Sequence, residues 1–153
     1  MAASGNGVGG ARDMNSPAVA LEVALVGRSC RVERREADWV FDLQGGAGLA
    51  VGCHWRLVSS ESIALTDEDD GQRFGLLEAV DAETKANSLL VGATISSATV
   101  DRVTADLCLE FSNGLRLEFI INSSGYEGWQ VSFSRAGQMF SIIAMGGGRL
   151  AYV

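Results

Sequence analysis

His54 is the only histidine of the 153-residue chain and stands in Cys53-His54-Trp55-Arg56. Its ordinary pKa makes it the side chain best suited to proton transfer near neutrality. Acid-base catalysis also needs a nucleophile and a group that orients the imidazole, and no Gly-x-Ser-x-Gly elbow or comparable pattern accompanies it. No catalytic residue is therefore assigned. His54, Trp55 and Arg56 remain a candidate small-ligand site, on a strand whose aromatic neighbours could line a cavity.

The densest charge is Thr66-Asp67-Glu68-Asp69-Asp70-Gly71. A calcium loop of this length opens on aspartate and closes on a bidentate glutamate at position twelve, whereas here those positions are Thr66 and Leu77. Asp67, Glu68, Asp69 and Asp70 read instead as a solvated turn or as a contact for a basic partner. The second candidate is Asn122-Ser-Ser-Gly-Tyr-Glu-Gly-Trp129, where Tyr126, Glu127 and Trp129 combine aromatic area with a carboxylate on a glycine-hinged loop. Packing of Tyr126 and Trp129 on a sheet is the competing account. Cys30, Cys53 and Cys108 are widely spaced and, with one histidine, make no ordinary zinc site. They read as buried thiols of a reducing, cytoplasmic compartment. Gly146-Gly147-Gly148 lacks the lysine and the strand-to-helix setting of a phosphate loop and reads as a turn. No cofactor and no metal are implied.

A formal charge of −7 and a pI near 4.6 argue against unaided binding to nucleic acid, whose affinity comes from lysine and arginine displacing counterions. The longest apolar run, Ala18 to Val26, is broken by Glu22 and too short for a bilayer, so no membrane association is expected. Met1 to Asn15, rich in Gly, Ala, Ser and Asn, reads as a mobile leader and not a signal peptide. Residues 16–153 suffice for one domain with a real core.

Ser16-Pro17 opens a helix that Gly27 can stop, and Asp81 caps a second that ends near Gly92. Period-two alternation predicts strands over Arg28–Glu36, Asp38–Gln44, Leu49–Leu57, Ser62–Thr66, Thr94–Val100, Asp106–Ser112, Leu115–Ile121, Gly128–Ser134, Met139–Met145 and Arg149–Val153. Trp39, Phe41 and Leu43, with Leu107, Leu109 and Phe111, should face the core. Asn113-Gly114 is a hairpin turn, and Gly45 to Gly48 serves the same purpose. The fold class is α+β, mainly β, with antiparallel strands in a sandwich or a partly closed barrel. Asp38-Trp-Val-Phe-Asp-Leu-Gln-Gly-Gly matches Asp106-Leu-Cys-Leu-Glu-Phe-Ser-Asn-Gly in residue type, and Leu25-Val26-Gly27 matches Leu90-Val91-Gly92. This predicts two similar halves, about 25–75 and 90–153, with Asn122 to Trp129 as an insertion in the second.

Five stretches carry a resemblance: Trp55-Arg56-Leu57, Asp69-Asp70-Gly71-Gln72-Arg73-Phe74-Gly75, Val80-Asp81-Ala82, Leu107 to Phe111, and Ser123-Ser124-Gly125-Tyr126-Glu127-Gly128-Trp129. On these the chain from about Leu25 onward resembles a domain-of-unknown-function family of small bacterial proteins, some of them immunity proteins of polymorphic-toxin loci. The resemblance implies a protein that neutralises a toxin or effector by binding it; independently, a small acidic domain can cover a basic partner, with Asp67, Glu68, Asp69 and Asp70 steering the encounter and Tyr126, Glu127 and Trp129 anchoring it. It implies no catalytic residues. Two other classes stay open: a structural subunit that self-associates through a strand edge, and a small-ligand-binding protein or hydrolase using a cavity near His54; the immunity reading itself allows a monomer or homodimer.

Overall fold

The computed structural model describes residues 15–153. The leader expected over Met1 to Asn15 therefore lies, apart from Asn15, outside the described residues. The chain runs α1 (Pro17–Leu25), β1 (Arg31–Arg34), β2 (Trp39–Asp42), β3 (Gly48–Val51), β4 (His54–Val58), β5 (Ile63–Thr66), α2 (Ala82–Leu90), β6 (Ile95–Val100), β7 (Leu107–Phe111), β8 (Arg116–Ile120), β9 (Trp129–Arg135), β10 (Gln138–Met145) and β11 (Arg149–Tyr152). Two antiparallel sheets result, ordered β1-β2-β3-β9-β10-β11 and β5-β4-β8-β7-β6, and they are not closed into a barrel. The fold is thus mainly β with two helices, and of the two expected architectures it is the sandwich.

Each half follows one path. A helix leads into a three-strand meander in one sheet, and the strands that follow, two in the first half and three in the second, cross to the other sheet. The crossings pair β3 with β9 and β4 with β8, so each sheet is completed by strands from the opposite half. The aligned segments around Trp39 and Leu107 fall on β2 and β7, the middle strands of the two meanders. Leu49–Leu57, expected as one strand, is two: it turns at Gly52-Cys53 from the first sheet into the second. The turn leaves no trace in the alternation, because Leu49, Val51, Cys53, Trp55 and Leu57 are all buried as the chain rounds a single core.

Inside, Trp39 and Phe41 from one sheet meet Trp55 and Phe119 from the other edge to face, with centroids 5.0–5.6 Å apart. Of the six expected core residues, Phe41, Leu43, Leu107, Leu109 and Phe111 are buried and Trp39 is half-buried against them.

The helices close the two open sides of the sandwich. Helix α1 buries Ala20, Leu21 and Leu25 and packs on β6 and β11, while α2 buries Ala82, Ala86 and Leu90 and packs on β1 and β5. Gly27 and Gly92, at φ +91° and +76°, let the chain leave each helix in the left-handed conformation that glycine adopts without penalty. Both helices also cover a sheet edge. The Asn87 carboxamide accepts from Val32 N (2.7 Å) and donates to Val32 O (2.8 Å), and Glu83 accepts from Arg34 N (2.7 Å), so side chains replace the strand that β1 lacks. The backbone after α1 does the same for β6, with Gly27 N donating to Ile95 O and Ile95 N to Arg28 O, both at 2.8 Å. No helix among the described residues is long and apolar enough to cross a membrane.

Candidate functional site

Because β1, β3, β5, β6, β8 and β10 all end where β2, β4, β7, β9 and β11 begin, six connections gather at one end of the sandwich. They are 35–38, 52–53, 67–81, 101–106, 121–128 and 146–148. Eleven of the nineteen Asp and Glu residues stand in these loops, but only three of the twelve Lys and Arg. These six loops therefore carry a formal charge of −8, and all the rest of the chain, including Arg34 beside them, +1.

The acidic turn is more structural than its composition suggests. Its first three residues form one 3₁₀ turn, Asp67–Asp69, following β5. The Asp67 carboxylate takes His54 Nδ1 at 2.9 Å, Asp69 accepts from Thr66 N at 2.9 Å, and Asp70 holds both Arg34 Nε and Nη2 at 2.7 Å while accepting from Ala82 N at 2.9 Å. Asp81, the N-cap of α2, accepts from Thr84 N and takes Arg34 Nη2 at 2.9 Å. The Arg34 guanidinium consequently holds the Asp70 and Asp81 carboxyls below the usual carboxylate range. Of the four acidic residues Glu68 is the most exposed, its Oε1 3.6 Å from His54 Nε2.

These groups border a surface cleft of about 370 Å³ lined by Arg34 to Trp39, Val51 to His54, Asp67 and Asp70. Its cations are already committed: Arg34 to Asp70 and Asp81, and Arg35 to Asp38 through bonds of 2.6–2.7 Å. What the cleft can still offer an incoming group is negative charge. His54 and Asp67 look like two members of a catalytic triad, but among the described residues no hydroxyl side chain lines the cleft. The Cys53 thiol beside them is pushed up to about 12, chiefly by burial, and stays protonated. The pair acts instead as a clasp between β4 and the acidic turn.

Bonding to Asp67 raises the His54 pKa above its ordinary 6.5. The imidazolium clasp thus stabilises the fold fully below about pH 6.5, and that stabilisation is lost as pH rises through the higher folded-state value. His54 is nearly half exposed, so solvent screening keeps the effect small. An NMR titration should place the His54 midpoint above 6.5, and Asp67→Asn should lower it; a midpoint at or below 6.5 in the wild type would remove the clasp.

The candidate small-ligand site does not assemble. Successive strand residues point to opposite faces, so His54 lines the cleft, Trp55 is 1% exposed in the core, and Arg56 lies on the outer face of its sheet against Glu118 (3.3 Å). Nor is Trp129 a surface anchor. Opening β9 at an inward position, it is 1% exposed and its indole donates to Ala105 O at 2.9 Å. Tyr126, by contrast, is 82% exposed, and Glu127 borders a depression that shares Asp38, Val51 and Gly52 with the acidic cleft. The two sheet crossings touch here, Gly52 N and Cys53 N both donating to Gly128 O (2.9 and 3.2 Å), which brings the Tyr126 loop beside the cleft.

One element of this end went unread in the sequence. Between Gly71 and Val80 the chain forms a closed hairpin loop, with Gly71 N bonded to Val80 O and Val80 N to Gln72 O, both at 2.8 Å. Its tip presents Phe74, Leu76 and Leu77 to solvent, Leu77 at 94% exposure. Three large apolar side chains flanking Gly75, with neither helical nor strand period, were the available signal. No protein-family model, curated protein or solved structure matches the chain.

Proposed function

We propose that this is an immunity-type binding protein whose loop end covers a basic surface of a toxin or effector protein. The observation that carries the reading is the charge separation: −8 on six loops at one end and +1 on everything else. Such a field accelerates encounter with a basic surface and orients it. Phe74, Leu76, Leu77 and Tyr126, all exposed at the same end, supply apolar area for the contact that follows. The partner's cations would meet Glu36, Glu68, Glu78 and Glu127, whose carboxylates accept no hydrogen bond among the described residues, Glu68 facing only His54 at 3.6 Å; Asp67, Asp69 and Asp70 mainly hold the surface in shape. Tyr126 takes over the anchoring role that the sequence divided with Trp129. The likeness drawn from the sequence, to a family of which some members are immunity proteins, suggested the same class of function.

The test compares wild type with the quadruple variant E36Q/E68Q/E78Q/E127Q as baits in lysate of the cells that make the protein. The wild type should retain one basic protein at near-equal stoichiometry, and adding the bait to that purified protein should inhibit its activity. The variant should bind it about tenfold more weakly or worse, and raised salt should mimic the variant. A partner held equally by both baits, or none held by the wild type, would overturn the assignment.

A further inference from the structure

Three of the four sheet edges are protected. Side chains of α2 cover β1, the backbone after α1 covers the start of β6, and β5 is joined to β4 through a register shift at Leu57/Val58 that makes its edge irregular. The fourth, β11, is different. Ser141 and Val153 exchange two hydrogen bonds (2.9 and 3.0 Å), which sets the phase of the β10–β11 ladder. Leu150 and Tyr152 then turn their N–H and C=O groups away from β10, and among the described residues no backbone group pairs with them. Beside this edge α1 is apolar except for the half-buried Glu22, and Val23 with the C-cap Val26 is left nearly half exposed.

We infer that β11 pairs with β11 of a second copy of this chain, antiparallel about Ala151, joining two six-stranded sheets into one of twelve. In that register Leu150 exchanges two hydrogen bonds with Tyr152 of the partner subunit, and Tyr152 two with Leu150 of the partner subunit. Ala151, whose side chain lies with Ile143 on the outer face of the sheet, meets its own copy on the two-fold axis. Charge favours this geometry for so acidic a molecule. Strand β11 starts at the −8 end and runs away from it, so antiparallel pairing sends the two acidic ends to opposite extremities. The segment that meets its copy, Arg149–Tyr152, contains no carboxylate side chain. This inference is independent of the basic-partner reading and leaves both loop ends open.

Sedimentation equilibrium of the full chain from about 1 µM to about 1 mM should show a reversible dimer, twice the 16.1 kDa of one chain. Ala151→Glu sets like charges face to face on the axis while its side chain stays on the outer face, and should raise the dissociation constant roughly tenfold or more. In wild-type protein the amides of Leu150 and Tyr152 should exchange more slowly with deuterium as concentration rises, a readout that requires no variant to fold. A monomer at every loading would overturn the inference, as would a dimer whose Leu150 and Tyr152 amides exchange at concentration-independent rates.

Discussion

Replacing Trp129 by alanine should remove about 3–5 kcal/mol of folding stability, read as a lower urea midpoint. Trp129 is fully buried where β9 enters the core, and its loss leaves a cavity the neighbouring sheets cannot fill. A second cost arises at the loop end. The indole donates to the carbonyl of Ala105, a fully buried alanine held at φ +64°, in the left-handed region. Asp101 braces the same loop by accepting from Val103 N and Thr104 N at 2.9 Å. Without the indole the Ala105 carbonyl loses its buried partner, so the 101–106 loop should loosen along with the core. Trp129→Phe keeps most of the volume and removes the donor, and should cost about 1–3 kcal/mol. If Trp129→Ala cost less than about 1 kcal/mol, the core position of this residue would be wrong.

The second large effect is expected at Gly148, where alanine should cost about 2–5 kcal/mol through left-handed strain and steric overlap together. Gly148 sits at φ +87°, and a Cβ there would strike the carbonyl of Val103; at Gly146 it would strike the backbone of Gly125. The glycine run is thus a strip of bare backbone passing between the 101–106 and 121–128 loops. Gly137→Ala is the natural control, since Gly137 has a similar φ of +78° and open space around its Cβ position. It should show the conformational strain alone, about 1–2 kcal/mol. Equal losses at the two positions would mean that the loops do not pack on the glycines.

These positions show which parts of the molecule are legible in the residues and which are not. Helix ends were readable because their signals are local: Pro17 and Gly27 bracket α1, and Asp81 both looks like and is the N-cap of α2. Strand positions were readable because one face of each is buried. The sheet switch at Gly52-Cys53 was not, since the phase of burial continues unbroken through it. Side chains at a loop-strand boundary were the least legible: nothing near Gly128 distinguishes an inward Trp129 from an outward Tyr126 until the start of β9 is known. The acidic turn was correctly found as a charge cluster. That His54, Arg34 and the N-terminus of α2 consume most of it depends on contacts between residues as far as 36 positions apart, which no local pattern records.

The exchange of strands between the halves also dictates an order of events during synthesis. Gly48 of β3 waits for Ser132 of β9, and His54 of β4 waits for Ile120 of β8. As the first half leaves the ribosome it can form the β1-β2-β3 meander and the β4-β5 hairpin, but each is left with an edge that only the second half completes. Contacts this distant in sequence close slowly. The nascent chain therefore passes through a stage with two naked sheet edges, and chaperones, or a neighbouring nascent copy offering its own β8 and β9, have their chance at it then.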